Sequence, residues 1–344
     1  MIRSILKTLY GVMFISLISA FCASVAIAAQ EKKAEDYTEL VFGIIPTDSL
    51  DTLKKGFEPF VADMSKKLGI KVIPRYATDY AGIIEAMRFK KVDFAWFGNK
   101  SAIEATNRSN AEVFAQTTDV DGTPGYWSVV IVHKDSPHKT IDDIIENGSK
   151  LSFGNGDPNS TSGFLVPTYY IWSKRGIDPN KHFKEVRNAN HEANNMAVAQ
   201  KQVDFATNNT MAQKRFQKNH PQMAQNIRVI WQSPLIPRDP ICWRKDLPDE
   251  IKAKLKALFM GYGRIGLDVE NEKKILAAIS SGWGTFKNSD NRQLIPIRQI
   301  NLVKDRRKIE NNDDLSDEEK QNRIAEIDAR LEELKNYFTL VQKF

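Results

Sequence analysis

The sequence predicts an α/β protein made of two similar lobes that are joined by a two-segment hinge. Two observations support this prediction. Strand-like and helix-like segments alternate from residue 40 onward, and several short motifs recur at one fixed distance along the chain. Such alternation is typical of α/β sheets with mainly parallel strands.

The alternation is clearest in the first hundred residues. The apolar run LVFGII (40–45) predicts a buried strand, and apolar residues at helical spacing over 53–68 predict a helix. A strand at 70–74, a short helix at 83–87 and a strand at 92–97 continue the order. This is the rhythm of a β-α-β-α unit.

The motifs recur at a constant distance, equal to the separation of Phe42 from Phe153, which we call the repeat offset. One match could arise by chance, but four in one register indicate an internal duplication. The pairs are Phe42-Gly43 with Phe153-Gly154, Ser49 with Ser160, VDFA at 92–95 with VDFA at 203–206, and K-D-x-P at 134–137 with K-D-x-P at 245–248.

Helix-like chain continues beyond the second copy, which implies that the chain crosses twice between the lobes. We expect the crossings near 125–132 and 237–243, so that each copy gives its last strand to the other lobe. Two crossings form a hinge, and hinged lobes enclose small ligands. The predicted parts are a signal peptide at 1–28, a first lobe at 29–126 plus 240–300, a second lobe at 127–239 and a charged extension at 301–344.

The amino terminus has the three-part pattern of a secretory signal peptide. Arg3 and Lys7 precede an apolar run, which ends in the A-x-A sequence of Ala26-Ile27-Ala28. A membrane anchor is the alternative. Cys22 follows the bulky Phe21, so lipidation is not expected. We predict cleavage near Ala28 or Ala29, and export.

The remaining composition narrows the possible partners. Removing Arg3 and Lys7 lowers the formal charge from +6 to +4, and no long basic block follows, so no nucleic acid is expected. Cys242 would be the only cysteine after cleavage, which excludes an internal disulfide.

The charged extension predicts an amphipathic helix. Its apolar residues recur at spacings of three and four: Ile324, Ile327, Leu331, Leu334 and Phe338. This face either packs on its own lobe or forms a homodimer contact.

The stretch GNGDPNSTSGF (154–164) lies between a predicted strand and a predicted helix. Ser160, Thr161 and Ser162 would start that helix, whose first amide N–H groups have no partner within the helix. These amides, the helix dipole and three hydroxyls can bind a tetrahedral oxyanion. The alternative is a simple helix cap. No G-K-[ST] closes the run, so ATP hydrolysis is not supported.

Four further residues are expected to line the cleft. Tyr80 and His191 are themselves separated by the repeat offset, and each is expected just before a short helix in its own lobe. Both can donate hydrogen bonds to an oxyanion. Tyr126 and Asp239 lie on the two crossings, where Asp239 is either a ligand acceptor or a turn former.

At these residues the chain resembles the periplasmic phosphonate-binding proteins that serve ABC importers. The motifs that carry the resemblance are DYAGIIEAMRFKKVDFAWFGN, GYWSVVIVHKDSP, FGNGDPNSTSGFLVP, KQVDFATNNT and SPLIPRDPICWRKDLP. The resemblance runs from about 40 to 300. It implies the two-lobe fold of a type II periplasmic binding protein, which closes on a phosphonate and delivers it to an inner-membrane permease.

Carried over by motif, the resemblance implies that phosphonate oxygens meet Ser160, Thr161, Ser162, Tyr80 and His191, with Tyr126 and Asp239 near the rest of the ligand. It implies no cofactor, no metal and no catalytic residue. Relatives that hold an aminoalkyl tail can place an acid directly after the NNT motif. Here Met211 follows the motif, and a thioether cannot pair with an ammonium group. We therefore expect this protein to prefer an amine-bearing phosphonate less than those relatives do.

Three alternatives stay open from the sequence. A phosphate or phosphite binding protein would use the same nest of donors, and a protein presenting ligand to a membrane sensor would use the same fold. A secreted phosphate-ester hydrolase would need metal ligands or an activated nucleophile. The five histidines have no recognisable zinc spacing, and no G-x-S-x-G occurs.

Overall fold

The computed structural model describes residues 33–123, 125–279 and 282–341, with side chains up to Tyr337. The predicted signal peptide at 1–28 and the side chain of Phe338 lie outside the described part. No helix in these ranges is long and apolar enough to cross a bilayer.

The strands occur in the order that the alternation predicts. They are β1 Glu39–Ile44, β2 Lys71–Arg75, β3 Phe94–Trp96, β4 Ala111–Gln116, β5 Gly125–Tyr126, β6 Ser128–His133, β7 Ser152–Gly156, β8 Glu185–Ala189, β9 Phe205–Asn209, β10 Ile227–Gln232, β11 Ile236–Pro237, β12 Pro240–Arg244 and β13 Lys287–Asn288.

Most helices follow a strand. They are α1 Leu50–Leu68, α2 Tyr80–Arg88, α3 Asn99–Arg108, α4 Ile141–Glu146, α5 Pro179–His182, α6 His191–Ala199, α7 Thr210–Asn219, α8 Pro221–Ala224, α9 Asp249–Gly261, α10 Val269–Ala278, α11 Ile295–Glu310 and α12 Asp317–Val341. Short 3-10 turns lie at Ala34–Asp36, Gly148–Lys150 and Asn291–Leu294.

Two sheets form the centres of two lobes, and each sheet takes one strand from beyond the hinge. The first lobe has the strand order β13-β4-β12-β3-β1-β2, and the second has β10-β6-β9-β7-β8. β6 therefore leaves the first copy to join the second lobe, and β12 makes the return. β5 and β11 pair antiparallel beside these crossings. The predicted two-lobe α/β fold with a two-segment hinge is confirmed.

The internal duplication is visible in the strand register. Phe42 lies opposite Phe94 in the first sheet, and Phe153 lies opposite Phe205 in the second, which preserves the repeat offset. The two pairs of rings stack with centroids 4.8 and 4.6 Å apart. The two lobes are thus copies of one packing arrangement.

The sheets are mixed, whereas the alternation predicts mainly parallel strands. The three strands of each βαβ unit are parallel, but the exchanged strand enters antiparallel. The reason is topological. A strand that arrives directly from the other lobe has no crossover helix, and only such a crossover would return the chain in the parallel direction.

The carboxyl-terminal helices form a hairpin beside the lobes. α11 begins at Ile295, before the predicted extension, and packs on α3 of the first lobe and on the 161–172 segment of the second. α12 packs against α11, with Arg306 and Asp328 paired at 2.8 Å. The predicted apolar residues of α12 up to Leu334 are half-buried, which agrees with packing on its own chain.

Candidate functional site

A cavity lies between the lobes at the carboxyl ends of the central strands β1, β3, β7 and β9, where ligands of open α/β sheets bind. We call it the site cavity. All seven residues predicted from the sequence line it, together with seven others. The lining is Ile45, Thr47, Tyr80, Trp96, Gly98, Tyr126, Ser160, Thr161, Ser162, His191, Asn209, Met211, Arg215 and Asp239.

The 154–164 stretch forms a tight turn from β7 into a helical segment that we call the hydroxyl helix (161–175). Its first turn is wide, because Leu165 N donates to Ser160 O five residues back. A Cβ on Gly156 would lie 2.5 Å from the backbone of Gly163, so only glycine permits this approach. The glycine therefore brings the start of the helix against the strand end.

Each of the three adjacent hydroxyl oxygens accepts a hydrogen bond from the protein. Ser160 Oγ accepts from Gly163 N at 3.0 Å and caps the helix. Thr161 Oγ1 accepts from Lys100 N of the first lobe at 2.8 Å, and Ser162 Oγ accepts from Asn209 Nδ2 at 3.1 Å. Their oxygens thus act as acceptors toward the protein, while each hydroxyl also has a proton that it can donate.

Tyr80 and His191 are each the first residue of a short helix, one in each lobe. The residues before them, Asp79 and Asn190, cap these helices in the same way and are also separated by the repeat offset. Both predicted side chains are buried, at 3% and 4% exposure. Burial, and then the nearby Asp157, raises the pKa of Tyr80, so its hydroxyl keeps a proton to donate.

Asp239 lies on the second crossing, and its carboxylate is held by two side chains. Tyr126 OH donates to Oδ1 at 3.1 Å, and Trp96 Nε1 donates to Oδ2 at 3.2 Å. Burial raises the pKa of Asp239 to about 6, although Arg238 and these two donors oppose the shift. Asp239 is thus a ready acceptor at the hinge side of the cavity.

Arg215 and Asp48 form a buried ion pair between the lobes at the edge of the site cavity. Arg215 Nε lies 3.1 Å from Asp48 Oδ2, and both side chains are 5% exposed. Thr47 Oγ1 donates a second hydrogen bond to the same carboxylate at 2.6 Å. The pair places a guanidinium beside the cavity and joins the two lobes.

Further hydrogen bonds join the lobes around the site cavity. Backbone His191 N donates to Thr47 O at 3.1 Å, and Ser49 N donates to Glu192 Oε2 at 2.7 Å. Together with the bond between Lys100 N and Thr161, these contacts identify the conformation as closed.

His191 is neutral in this environment. Burial, and then the charge of Arg215, lowers its pKa to about 3 from the usual 6.5. Between these values the unfolded chain binds a proton that the folded protein excludes. This exclusion therefore leaves the folding stability unchanged well above pH 6.5, and it lowers the stability progressively as the pH falls from 6.5 toward 3.

We therefore expect His191→Gln to flatten the pH dependence of stability. Wild-type protein should lose about 3 kcal/mol more of its unfolding free energy than the variant between pH 6.5 and pH 4. Urea denaturation at both pH values measures this difference. Parallel curves for the two proteins would contradict a buried neutral histidine.

Asn209 and Arg215 line the cavity but escaped the sequence interpretation. Asn209 could have been found from the repeat, since Gly98 and Asn209 are separated by the repeat offset and both precede a helix. Arg215 could not, because it lies in the second turn of α7, and its partner Asp48 is distant in sequence. Within the described ranges, no cluster of three or more metal-ligating side chains occurs.

Comparisons with known proteins are consistent over most of the chain. A family model described as "ABC transporter, phosphonate, periplasmic substrate-binding protein" matches residues 42–294. A protein named phosphonates-binding periplasmic protein from Escherichia coli is 47% identical over 329 residues, covering 95% of this chain and 94% of that protein.

Two solved structures are similar in fold and sequence. A binding protein component of an ABC phosphonate transporter from Pseudomonas aeruginosa has a TM-score of 0.83 and 47% identity, covering 88% of this chain and 99% of that one. A Prochlorococcus marinus protein in complex with methylphosphonate has a TM-score of 0.66 and 25% identity, covering 78% and 99%.

Proposed function

This chain belongs to the periplasmic substrate-binding proteins of phosphonate ABC transporters, and from that premise we propose that it captures a small phosphonate in the site cavity for a membrane permease. Proteins of this family bind and deliver their ligand without a catalytic step. The observation that carries the proposal is the convergence of hydroxyl and imidazole donors from both lobes on one buried cavity.

The phosphonate oxygens would accept hydrogen bonds from Ser160, Thr161, Ser162, Tyr80 and His191. Hydrogen bonds to a charged oxygen are stronger than hydrogen bonds between neutral groups, and burial strengthens them further. The cavity also contains the apolar side chains Ile45 and Met211, which suit the carbon substituent of a phosphonate. The fourth oxygen of phosphate would lose its hydration against such a surface.

Binding and closure would be one event. Tyr80 belongs to the first lobe and the hydroxyl helix to the second, so a ligand that contacts both binds the closed form better. A ligand shifts an equilibrium only by its difference in affinity for the two states. The closed form then presents both lobes to the permease.

Tyr126, Asp239 and Met211 would surround the ligand tail. Met211 Sδ contacts the guanidinium of Arg238, which is itself paired with Asp119 at 3.2 Å, so an ammonium group here would meet a thioether in place of a carboxylate. Asp239 is the acid of the cavity lining, and it already accepts from Trp96 and Tyr126. This arrangement supports an uncharged tail.

We expect wild-type protein to bind methylphosphonate more tightly than 2-aminoethylphosphonate. Met211→Glu should shift the ratio of the two affinities toward the amine by about tenfold, because a carboxylate gains a charged hydrogen bond. Met211→Gln is the matched neutral control and should leave the ratio unchanged. An equal shift in both variants would contradict the charge argument.

We also propose the lobe boundaries and the removal of the signal peptide. We assign 29–126 plus 240–300 to the first lobe and 127–239 to the second, supported by the sheet membership of β6 and β12. The family is periplasmic, and export would remove residues 1–28, which the intact mass of the secreted protein tests. A homodimer contact through α12 is the alternative role of the 301–344 extension, and light scattering distinguishes the dimer from a monomer.

Isothermal calorimetry on the exported protein tests the function. Titrations with methylphosphonate, 2-aminoethylphosphonate and phosphate should show tight binding of a phosphonate and much weaker binding of phosphate. Mass spectrometry beforehand establishes that the protein carries no co-purified ligand. If phosphate binds best, or if neither phosphonate binds, the phosphonate assignment fails.

A further inference from the structure

Asn209, which precedes α7, contacts the backbone of that helix and two residues of the site cavity. Its side chain is buried at 3% exposure, and its Oδ1 accepts from Ala212 N at 2.7 Å as the helix cap. Its Nδ2 lies 3.1 Å from Ser162 Oγ and 3.0 Å from His191 Nε2.

The cap bond fixes the orientation of the Asn209 amide. A backbone N–H can only donate, so the side-chain oxygen must face Ala212 and the NH₂ group must face the cavity residues. The two NH₂ protons then point to Ser162 Oγ and His191 Nε2. Neither site residue can direct its own proton toward Asn209.

The same bond selects one form of His191. A ring nitrogen that accepts a hydrogen bond carries no proton, and a neutral imidazole carries one proton in total, so that proton must be on Nδ1. His191 Nδ1 is buried and has no hydrogen-bond partner among the described residues. An unpaired buried donor is costly unless a ligand completes it.

We propose that Asn209 is a positioning residue. It holds the His191 proton on Nδ1 and turns the Ser162 hydroxyl proton away from the Asn209 amide, so that both protons are available to the ligand. This role rests on the proposed function for its ligand, but the tautomer itself does not. The bound oxyanion would then accept from Nδ1–H, which has no hydrogen-bond partner in the described part of the protein.

The surrounding charges bear on this arrangement. Arg215 on α7 is the charged group that acts on His191, and it is paired with Asp48. Tyr80 and Asp239 line the same cavity. On α6 itself, Glu192 is bound to Ser49 N and His220, so it is occupied at the lobe boundary.

Asn209→Asp tests the role with almost no change in size. The aspartate keeps the cap on Ala212 N, since Asp caps helices as well as Asn. It presents an acceptor to His191 Nε2, so the ring proton moves there and Nδ1 faces the ligand with a lone pair. We expect methylphosphonate affinity to fall about 100-fold at pH 8, because about two charged hydrogen bonds to the ligand are lost or reversed.

The pH profile separates this role from general damage. At pH 5.5 a doubly protonated His191 in the variant again carries a proton on Nδ1, so its deficit relative to wild type should narrow to about tenfold. Asn190→Asp, at the equivalent cap of α6, is the matched control. It adds the same charge next to His191 without a hydrogen bond to the ring, and it loses only the long contact of Asn190 Nδ2 with Asp48 O at 3.4 Å. Its affinity should therefore change by less than about fivefold, roughly 1 kcal/mol.

Nitrogen-15 NMR of the His191 ring in ligand-free protein reads the tautomer directly. At pH 8, wild type should carry the proton on Nδ1, and the Asn209→Asp variant should carry it on Nε2. A wild-type proton on Nε2 would overturn the proposal, as would a variant that binds like wild type at pH 8. If wild type shows the predicted tautomer but binds no phosphonate, the phosphonate assignment fails while the effect of Asn209 on the tautomer stands.

Discussion

Replacing Thr161 by alanine is expected to weaken methylphosphonate binding about 100-fold and to lower the closed fraction of the protein, since two interactions are lost. The hydroxyl would no longer donate to the ligand, and Lys100 N of the other lobe would lose its acceptor at 2.8 Å. Calorimetry measures the affinity, and small-angle X-ray scattering measures closure with and without ligand.

Thr161→Ser is the control for this prediction. Serine keeps the hydroxyl and removes only a methyl group, so the affinity should remain within about tenfold of wild type, or about 1.4 kcal/mol. If alanine binds as tightly as threonine, the hydroxyl helix is not the anion site. If affinity falls but closure is unchanged, Thr161 contacts ligand without coupling the lobes.

The second large effect is expected from Arg215→Met. Methionine fills similar space but leaves the Asp48 carboxylate buried without its cation, beside a cavity that would hold an anion. Removing one partner of a buried ion pair costs about 3 kcal/mol or more. The closed form should therefore be depopulated without ligand, and phosphonate affinity should fall at least about 100-fold.

The double variant Asp48→Asn with Arg215→Met separates charge from packing. It removes the uncompensated carboxylate, so it should recover about tenfold in affinity over Arg215→Met alone, and the cycle reports the coupling between the two residues. Additive losses in the double variant would show that the ion pair does not join the lobes energetically.

The fold was predictable from the sequence because the same motifs occur in both copies of the duplication. The repeat offset gives Phe42 and Phe153 the same role, and the sheets reproduce that register. The strand exchange followed from the chain left over after the second copy. The mixed sheets were missed because strand direction depends on the crossings, which carry no helix to mark them.

The lining of the site cavity could be predicted as far as the repeat and the family motifs reached, whereas ligand binding by these residues stays a prediction. Ser160, Tyr80 and His191 follow strand ends, and strand ends meet at one edge of a sheet. Arg215 and its partner Asp48 were missed, because a pairing across the closed cleft depends on how the lobes come together. Local spacing contains no information on that approach.

A crystal structure of the protein with methylphosphonate tests the central claim most directly. We expect the phosphonate to lie between the lobes, with its oxygens within hydrogen-bond distance of Thr161 Oγ1, Tyr80 OH and His191 Nδ1, and with its methyl group toward Met211. A phosphonate bound elsewhere, or one that contacts only a single lobe, would contradict it.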